Sequence, residues 1–245
     1  MARVDHPVIA INGLLSLEQE PALHLSNRYA RAVLRAGAVP FAIPPVGGPM
    51  DVERLLASVD GLLLAGGDDF DTARIGLGPT HSAARPVPAE KQDFDFLLVE
   101  KALARGTPVL GICYGMQLLG LAGGARLFQH LPADLPLASE HAGGAVHEIH
   151  PDAGSKLSRF IGVDPIPVIS RHHQALTDVG ALWTVSAVAP DGVIEAIERA
   201  DLAFALGVQW HPELAEEGSP HDRLFQALVG AAGMAVASRE FQRTP

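Results

Sequence analysis

The stretch from Pro108 to Ala122 constrains this chain more than any other part of it. Residues 108–112 form an apolar, strand-like run, and residues 115–122 suit a helix. Only Cys113 and Tyr114 stand between them. Gly111 and Gly115 flank the cysteine in a Gly-x-nucleophile-x-Gly layout, which allows a strand to turn sharply into a helix with close backbone packing. That turn should aim the Cys113 side chain into open space with a helix N-terminus facing it, where the amides favour a thiolate. A lone cysteine is more often an inert core residue. The paired glycines favour a nucleophile here.

The elbow also predicts its surroundings. Strand patterns at 8–12, 39–43 and 61–65 alternate with helix patterns at 27–36, 51–58 and 89–104, punctuated by Gly37, Pro44-Pro45, Gly66-Gly67 and Gly106. Asp51 suits the N-cap of the second helix. Alternation at this spacing implies a parallel sheet with helices on both faces. After Gly123-Gly124 the rhythm changes to short strand candidates at 125–128, 146–149, 167–170, 184–189, 193–197 and 204–208, then a closing helix at 221–237. This predicts an antiparallel or mixed extension in the C-terminal half. Residues 132–144 read as a loop, and the whole chain, 1–245, as one domain.

With 48% hydrophobic and only 5% aromatic residues, the core should be aliphatic. A formal charge of −10 argues against nucleic-acid or anionic-membrane partners. One cysteine excludes an intrachain disulfide. No apolar signal core appears at the N-terminus and no run reaches membrane-spanning length, so a cytoplasmic location is expected.

A thiolate attacking a carbonyl needs a base, an orienting group for it and donors for the oxyanion. Gly207-Val208-Gln209-Trp210-His211-Pro212-Glu213 follows an apolar strand, and its proline rules out a regular central strand or helix interior. An extended backbone would put His211 and Glu213 on one side, as base and orienter. Tyr114 and the Gly66-Gly67 turn can each supply an amide at the carboxyl ends of neighbouring strands. The histidines at 141, 147, 150, 172 and 173 raise the question of a metal. No tight His-Glu-x-x-His pair is present, so no metal and no cofactor are expected.

Taken together, Gly111-Ile112-Cys113-Tyr114-Gly115-Met116-Gln117, Gly123-Gly124 and the 207–213 segment resemble class I glutamine amidotransferase domains. Asp60 to Gly67, Ser170-Arg171-His172-His173-Gln174-Ala175 and Ala189 to Ala196 resemble the γ-glutamyl hydrolase branch, typified by γ-glutamyl-γ-aminobutyrate hydrolase. The likeness runs from about Val8 to Glu213. It implies a flavodoxin-like sheet, a Cys113-His211-Glu213 triad, an oxyanion hole of the Gly67 and Tyr114 amides, and cleavage of a small-molecule γ-glutamyl amide through a thioester. Gln117 and His173 are candidates for holding the glutamyl head group. Neither a metal nor a redox cofactor is implied, and a homodimer is left open. Tyr114 departs from the family's usual Arg, Ala65 from Pro, Lys91-Gln92-Asp93-Phe94-Asp95 from Arg-Asp-x-Phe-Glu, and Ile75-Gly76 from Tyr-Gly. Most of these are expected near the pocket mouth. Two rivals share the fold: a glutaminase subunit delivering ammonia to a separate synthase, and a non-enzymatic ligand or redox sensor. The sensor has no need of His211 and Glu213.

Overall fold

The computed structural model describes residues 6–17 and 20–243, with side chains through residue 237; the leader-peptide expectation rests mostly on residues 1–5, outside that range. Its main sheet takes nine strands: β1 (Val8–Asn12), β2 (Val39–Ile43), β3 (Gly61–Leu64), β4 (Val109–Ile112), β5 (Ala145–Pro151), β6 (Ile166–Ser170), β7 (Thr184–Val188), β8 (Ile194–Glu198) and β9 (Ala205–Val208). They lie in the order β2-β1-β3-β4-β9-β8-β7-β5-β6. Strands β2, β1, β3, β4 and β9 run parallel, and every pairing from β9 to β6 is antiparallel. The mixed extension predicted for the C-terminal half is therefore present.

Strands β1, β3, β4 and β9 are buried almost throughout because helices cover both faces, whereas the edge strand β2 leaves Val39 and Phe41 exposed. Ile9, Ile11, Leu63, Leu110 and Ile112 point to one side, against α1 (Asn27–Arg35) and the C-terminal helix α6 (Asp222–Arg243). Ala10, Leu62, Leu64 and Val109 point to the other, against α2 (Pro49–Ala57), α3 (Ala89–Arg105) and α4 (Tyr114–Ala122). Each large aliphatic side chain fully buried this way contributes about 1.5–3 kcal/mol. The fifth helix, α5 (Lys156–Ile161), packs under the antiparallel half.

Helix ends follow local chemistry. Ser26 caps α1, its hydroxyl accepting from Arg28 N at 3.3 Å. Gly106 closes α3 in the left-handed conformation, φ 70°. Asp51 is not an N-cap as expected. Helix α2 starts two residues earlier on Pro49, and Asp51 reaches back to accept from Gly48 N at 3.0 Å. Proline is well placed in a first turn, where its missing N–H costs nothing.

Several short elements lie outside the predictions. Leu14–Ser16 and Ala22–His24 form a hairpin, which Gly13 permits: a Cβ there would stand 2.7 Å from the His24 carbonyl oxygen. The 125–128 candidate shrinks to Leu127–Phe128, which leaves the main sheet to pair with Ala175–Leu176. A single helical turn, Leu131–Asp134, enters the 132–144 loop. No helix among the described residues is long and apolar enough to cross a membrane.

Candidate active site

Strand β4 runs straight into α4 through Cys113, which has φ 53° and ψ −109°. Among the described residues it is the only non-glycine with positive φ, a conformation that surrounding structure must hold in place. The flanking glycines provide that hold. A Cβ on Gly111 would meet the Gly115 carbonyl oxygen at 2.6 Å, and one on Gly115 would meet the Leu64 carbonyl oxygen at 2.3 Å. Strand, helix and neighbouring strand touch backbone to backbone. Cys113 N donates to Val208 O at 2.8 Å, and Cys113 O accepts from Gln117 N at 3.1 Å. The side chain does not project into open space as the sequence suggested. Cys113 is only 5% exposed, because Gly66 and the ring of His211 pack over it. A Cβ on Gly66 would lie 2.9 Å from His211 Cε1 and 3.6 Å from Cys113 Cβ.

His211 follows β9, and its N donates to Ile169 O at 3.1 Å. The segment beyond it is a 3-10 turn, Pro212–Leu214, rather than extended chain, since proline's fixed φ suits the first position of a helical turn. The turn still brings Glu213 Oε1 within 2.7 Å of His211 Nδ1. Burial pulls the His211 imidazolium down, but the adjacent Cys113 sulfur and then Glu213 outweigh it and push its pKa up to about 10. With Nδ1 held by Glu213, Nε2 is the nitrogen left to exchange a proton with sulfur.

Tyr29, on α1, was not singled out from sequence. Its hydroxyl accepts from Gly66 N at 3.0 Å, and burial, then the Glu213 carboxylate, keep its phenol well above its usual pKa. It pins the first glycine of the turn beside the imidazole. Nothing in the sequence around Asn27-Arg28-Tyr29 distinguishes this tyrosine from a core residue.

A second buried network supports the Gly66-Gly67 turn. Asn12 Oδ1 accepts from Ala65 N at 2.8 Å while its Nδ2 donates to Asp95 Oδ1 at 3.1 Å. Asp95 also accepts from Lys91 Nζ and, at 3.0 Å, from the Tyr114 hydroxyl. The Tyr114 ring stacks on Phe70 with centroids 4.4 Å apart. A Cβ on Gly67 would touch that ring at 3.2 Å. Gly67 and Tyr114 are thus neighbours, and Tyr114, as the first helical residue, has an amide with no intrahelical acceptor. The expectation that most departures from the family pattern lie at a pocket mouth is corrected for five residues. Ala65, Lys91, Gln92, Asp95 and Tyr114 are all buried. Three of these make one mutually compensating cluster, a tyrosine hydroxyl and an ammonium on one carboxylate.

Gln117 lies beneath the site. Its Nε2 donates to Gln174 O at 2.9 Å and to Gln209 Oε1 at 3.1 Å, so its amide group ties three segments together. His173 is half-exposed, with Nε2 at 2.9 Å from Asp69 Oδ2 and Nδ1 at 3.0 Å from His130 Nδ1. Asp69 holds its pKa above the ordinary value against the effect of burial. The His173 side chain borders a cavity of about 180 Å³ that Cys113 and His211 do not line. Three more histidines converge elsewhere: His141, His147 and His172 meet Glu195, a set able to hold a metal ion. No tight ligand pair marks this set in the sequence, because its members come from four separate segments of the chain.

Residues 7–213 match the family model described as Peptidase C26. Over 231 residues the chain is 40% identical to "Putative glutamine amidotransferase Rv2859c" of Mycobacterium tuberculosis, covering 92% of this chain and 72% of that protein. It is 30% identical to the gamma-glutamyl-gamma-aminobutyrate hydrolase of Escherichia coli O157:H7, covering 88% and 89% of the two chains. A glutamine amidotransferase structure from Thermotoga maritima superposes with a TM-score of 0.61 at 16% identity, over 96% of this chain and 86% of that one. The glutaminase domain of Trypanosoma brucei CTPS with bound acivicin gives 0.63 at 16%, over 93% and 94%. At these identities the structural likeness establishes a shared fold, that of class I glutamine amidotransferases.

Proposed function

The chain belongs to the Peptidase C26 family of glutamine amidotransferase-like hydrolases, and on that footing we propose that it cleaves the γ-glutamyl amide bond of small molecules through a thioester on Cys113. The observation that carries this reading is the Glu213–His211 contact of 2.7 Å, with the elbow cysteine beside the same imidazole.

The proposed cycle starts from the Cys113 thiolate with His211 as the imidazolium beside it, whose pKa the neighbouring sulfur and Glu213 raise against the effect of burial. The sulfur adds to the γ-carbonyl carbon, and the oxygen takes up negative charge between the amides of Gly67 and Tyr114. Losing one donor of this kind costs on the order of a hundredfold in kcat. As the tetrahedral species collapses, the C–N bond breaks and His211 gives its proton to the departing amine. The neutral imidazole then takes a proton from water while that water's oxygen attacks the thioester. Glutamate leaves, and the thiolate–imidazolium pair is restored. Glu213 stabilises the imidazolium in both halves of the cycle. His173, with its raised pKa, is the candidate cation for the substrate's α-carboxylate, whereas Gln117 acts as framework.

The test is amine release from a panel of γ-glutamyl amides (aminobutyrate, putrescine, folate-type, dipeptides, glutamine) by the wild type and Cys113→Ala. At least one amide should be hydrolysed, with kcat lower on the order of a millionfold in the variant, the scale for losing a nucleophile that works as one unit with its base. Hydrolysis of none by the wild type, or undiminished turnover by Cys113→Ala, overturns the proposal. Turnover of glutamine alone, and only beside a partner protein, would instead favour an ammonia-delivering subunit.

A further inference from the structure

Outside the triad, four side chains from distant segments meet in the antiparallel half of the sheet. They are His141 from the loop before β5, His147 on β5, His172 after β6, and Glu195 on β8. Their exposures are 1%, 10%, 1% and 0%. The atoms they turn towards one another, His141 Nδ1, His147 Nε2, His172 Nε2 and both Glu195 oxygens, are buried and make no hydrogen bond. Buried polar atoms are rarely left this way, and a group of them facing a common point calls for a ligand.

The spacing indicates which ligand. Glu195 Oε1 lies 3.4 Å from His141 Nδ1 and 3.5 Å from both His147 Nε2 and His172 Nε2. These separations are too long for good N–H···O bonds. They match the edge of a tetrahedron, since donors 2.0–2.1 Å from a zinc ion stand roughly 3.3–3.4 Å apart. All four donor atoms fall within 4.8 Å of one another, so small ring rotations close the set. The outward nitrogens are anchored as metal-bound histidines require. His172 Nδ1 sits 2.9 Å from Gln174 O, His147 Nδ1 3.0 Å from Glu148 O, and His141 Nε2 2.9 Å from Asp191 Oδ2. A nitrogen facing an acceptor carries the proton, which leaves each inward nitrogen with a lone pair. Asp191 is itself held by Ser139 N at 2.8 Å and Val193 N at 3.2 Å.

We propose that His141, His147, His172 and Glu195 bind one zinc ion in a closed tetrahedral site. Three imidazoles and a carboxylate suit zinc, and four protein donors leave no position for substrate, so the ion is structural. It braces the elements that carry the imidazole base. Glu195 O accepts from Gln209 N at 2.7 Å, two residues before His211, and Ile169 O accepts from His211 N just ahead of the His172 loop. The competing occupant is a proton, making one histidine the cationic partner of Glu195.

The experiment is metal analysis and titration of the untagged, chelator-dialysed chain with Zn²⁺ and Co²⁺. One equivalent per chain should bind, Co²⁺ should show the intense visible bands of tetrahedral coordination, and Zn²⁺ should raise the thermal midpoint. Cys113→Ala should keep the site, while Glu195→Gln and His172→Ala should lose it. Asp191→Asn keeps all four ligands and should weaken binding about 10- to 100-fold, which preserves the test if a ligand variant fails to fold. No uptake by the folded wild type overturns the proposal in favour of the proton. So does uptake that survives Glu195→Gln and His172→Ala, or that vanishes in Cys113→Ala. None of these readouts depends on hydrolysis.

Discussion

Gly115→Ala places one methyl group where three backbones meet. The new Cβ would stand 2.3 Å from the Leu64 carbonyl oxygen and 2.7 Å from the Leu64 Cβ. An unstrained C···O contact is about 3.3 Å, so α4 and β3 must separate by roughly 1 Å. Overpacking costs about 1–3 kcal/mol when side chains can yield. Here the obstacle is backbone in a central strand, fully buried, so the upper end, about 3 kcal/mol, is expected. For a chain of this size that lowers Tm by about 6–12 °C. The separation also displaces the Tyr114 amide and Cys113, and a shift of about 1 Å at a reacting centre costs on the order of a hundredfold in kcat. Gly106→Ala is the control. It sits at φ 70° with nothing within 4 Å of a Cβ, so it should lose about 1–2 kcal/mol from left-handed strain alone and keep full activity. Denaturant unfolding, calorimetry and kcat on the best amide measure all three proteins. A Gly115→Ala protein no less stable than Gly106→Ala, and as active as the wild type, would refute the backbone-contact account of the elbow.

Two further outcomes follow from the buried charges. His211 has its pKa raised to about 10, so it remains the acid for the leaving amine throughout neutral pH, and kcat/KM should fall only as pH rises through about 10. A basic limb near the ordinary histidine value in the pH profile would contradict the ion-pair description. Lys91→Met removes the ammonium that answers Asp95, both being almost fully buried. Stranding a buried charge costs about 3–5 kcal/mol, so chemical denaturation should show a loss on that scale, and a loss below about 1 kcal/mol would mean Asp95 is satisfied by Asn12 and Tyr114 alone.

The strand–elbow–helix was legible in sequence because its causes are local. Two glycines stand two residues to either side of the lone cysteine, and an apolar run changes period from two to 3.6 across it. The central parallel strands β1, β3 and β4 were legible for a similar reason, since a strand buried on both faces reads as an aliphatic run. Strand β9 was read with the C-terminal extension although it pairs parallel with β4, and β2 is an exposed edge marked by its flanking turns. Glu213 lies beside His211 although the backbone beyond is a 3-10 turn, because His211 precedes that turn with φ −109° and ψ 83°, and its ring reaches the carboxylate two residues on. Tyr29, Asn12 and the Lys91–Asp95–Tyr114 cluster were not found. Each takes its meaning from a partner more than a helical turn away in the chain, or from burial that a polar residue does not advertise.

By itself, then, the order of residues determined where the chain turns, which strands are covered on both sides, and which sulfur ends a central strand. Tertiary structure decided that the sulfur is roofed by Gly66 and the His211 ring rather than open, and that Gln117 holds segments together from below. It also decided that three histidines scattered over the C-terminal half face one carboxylate. Local torsions and hydrophobic period act over a few residues and leave a mark in sequence. The approach of side chains from separate strands is set by sheet order and register, which no short stretch of this chain encodes.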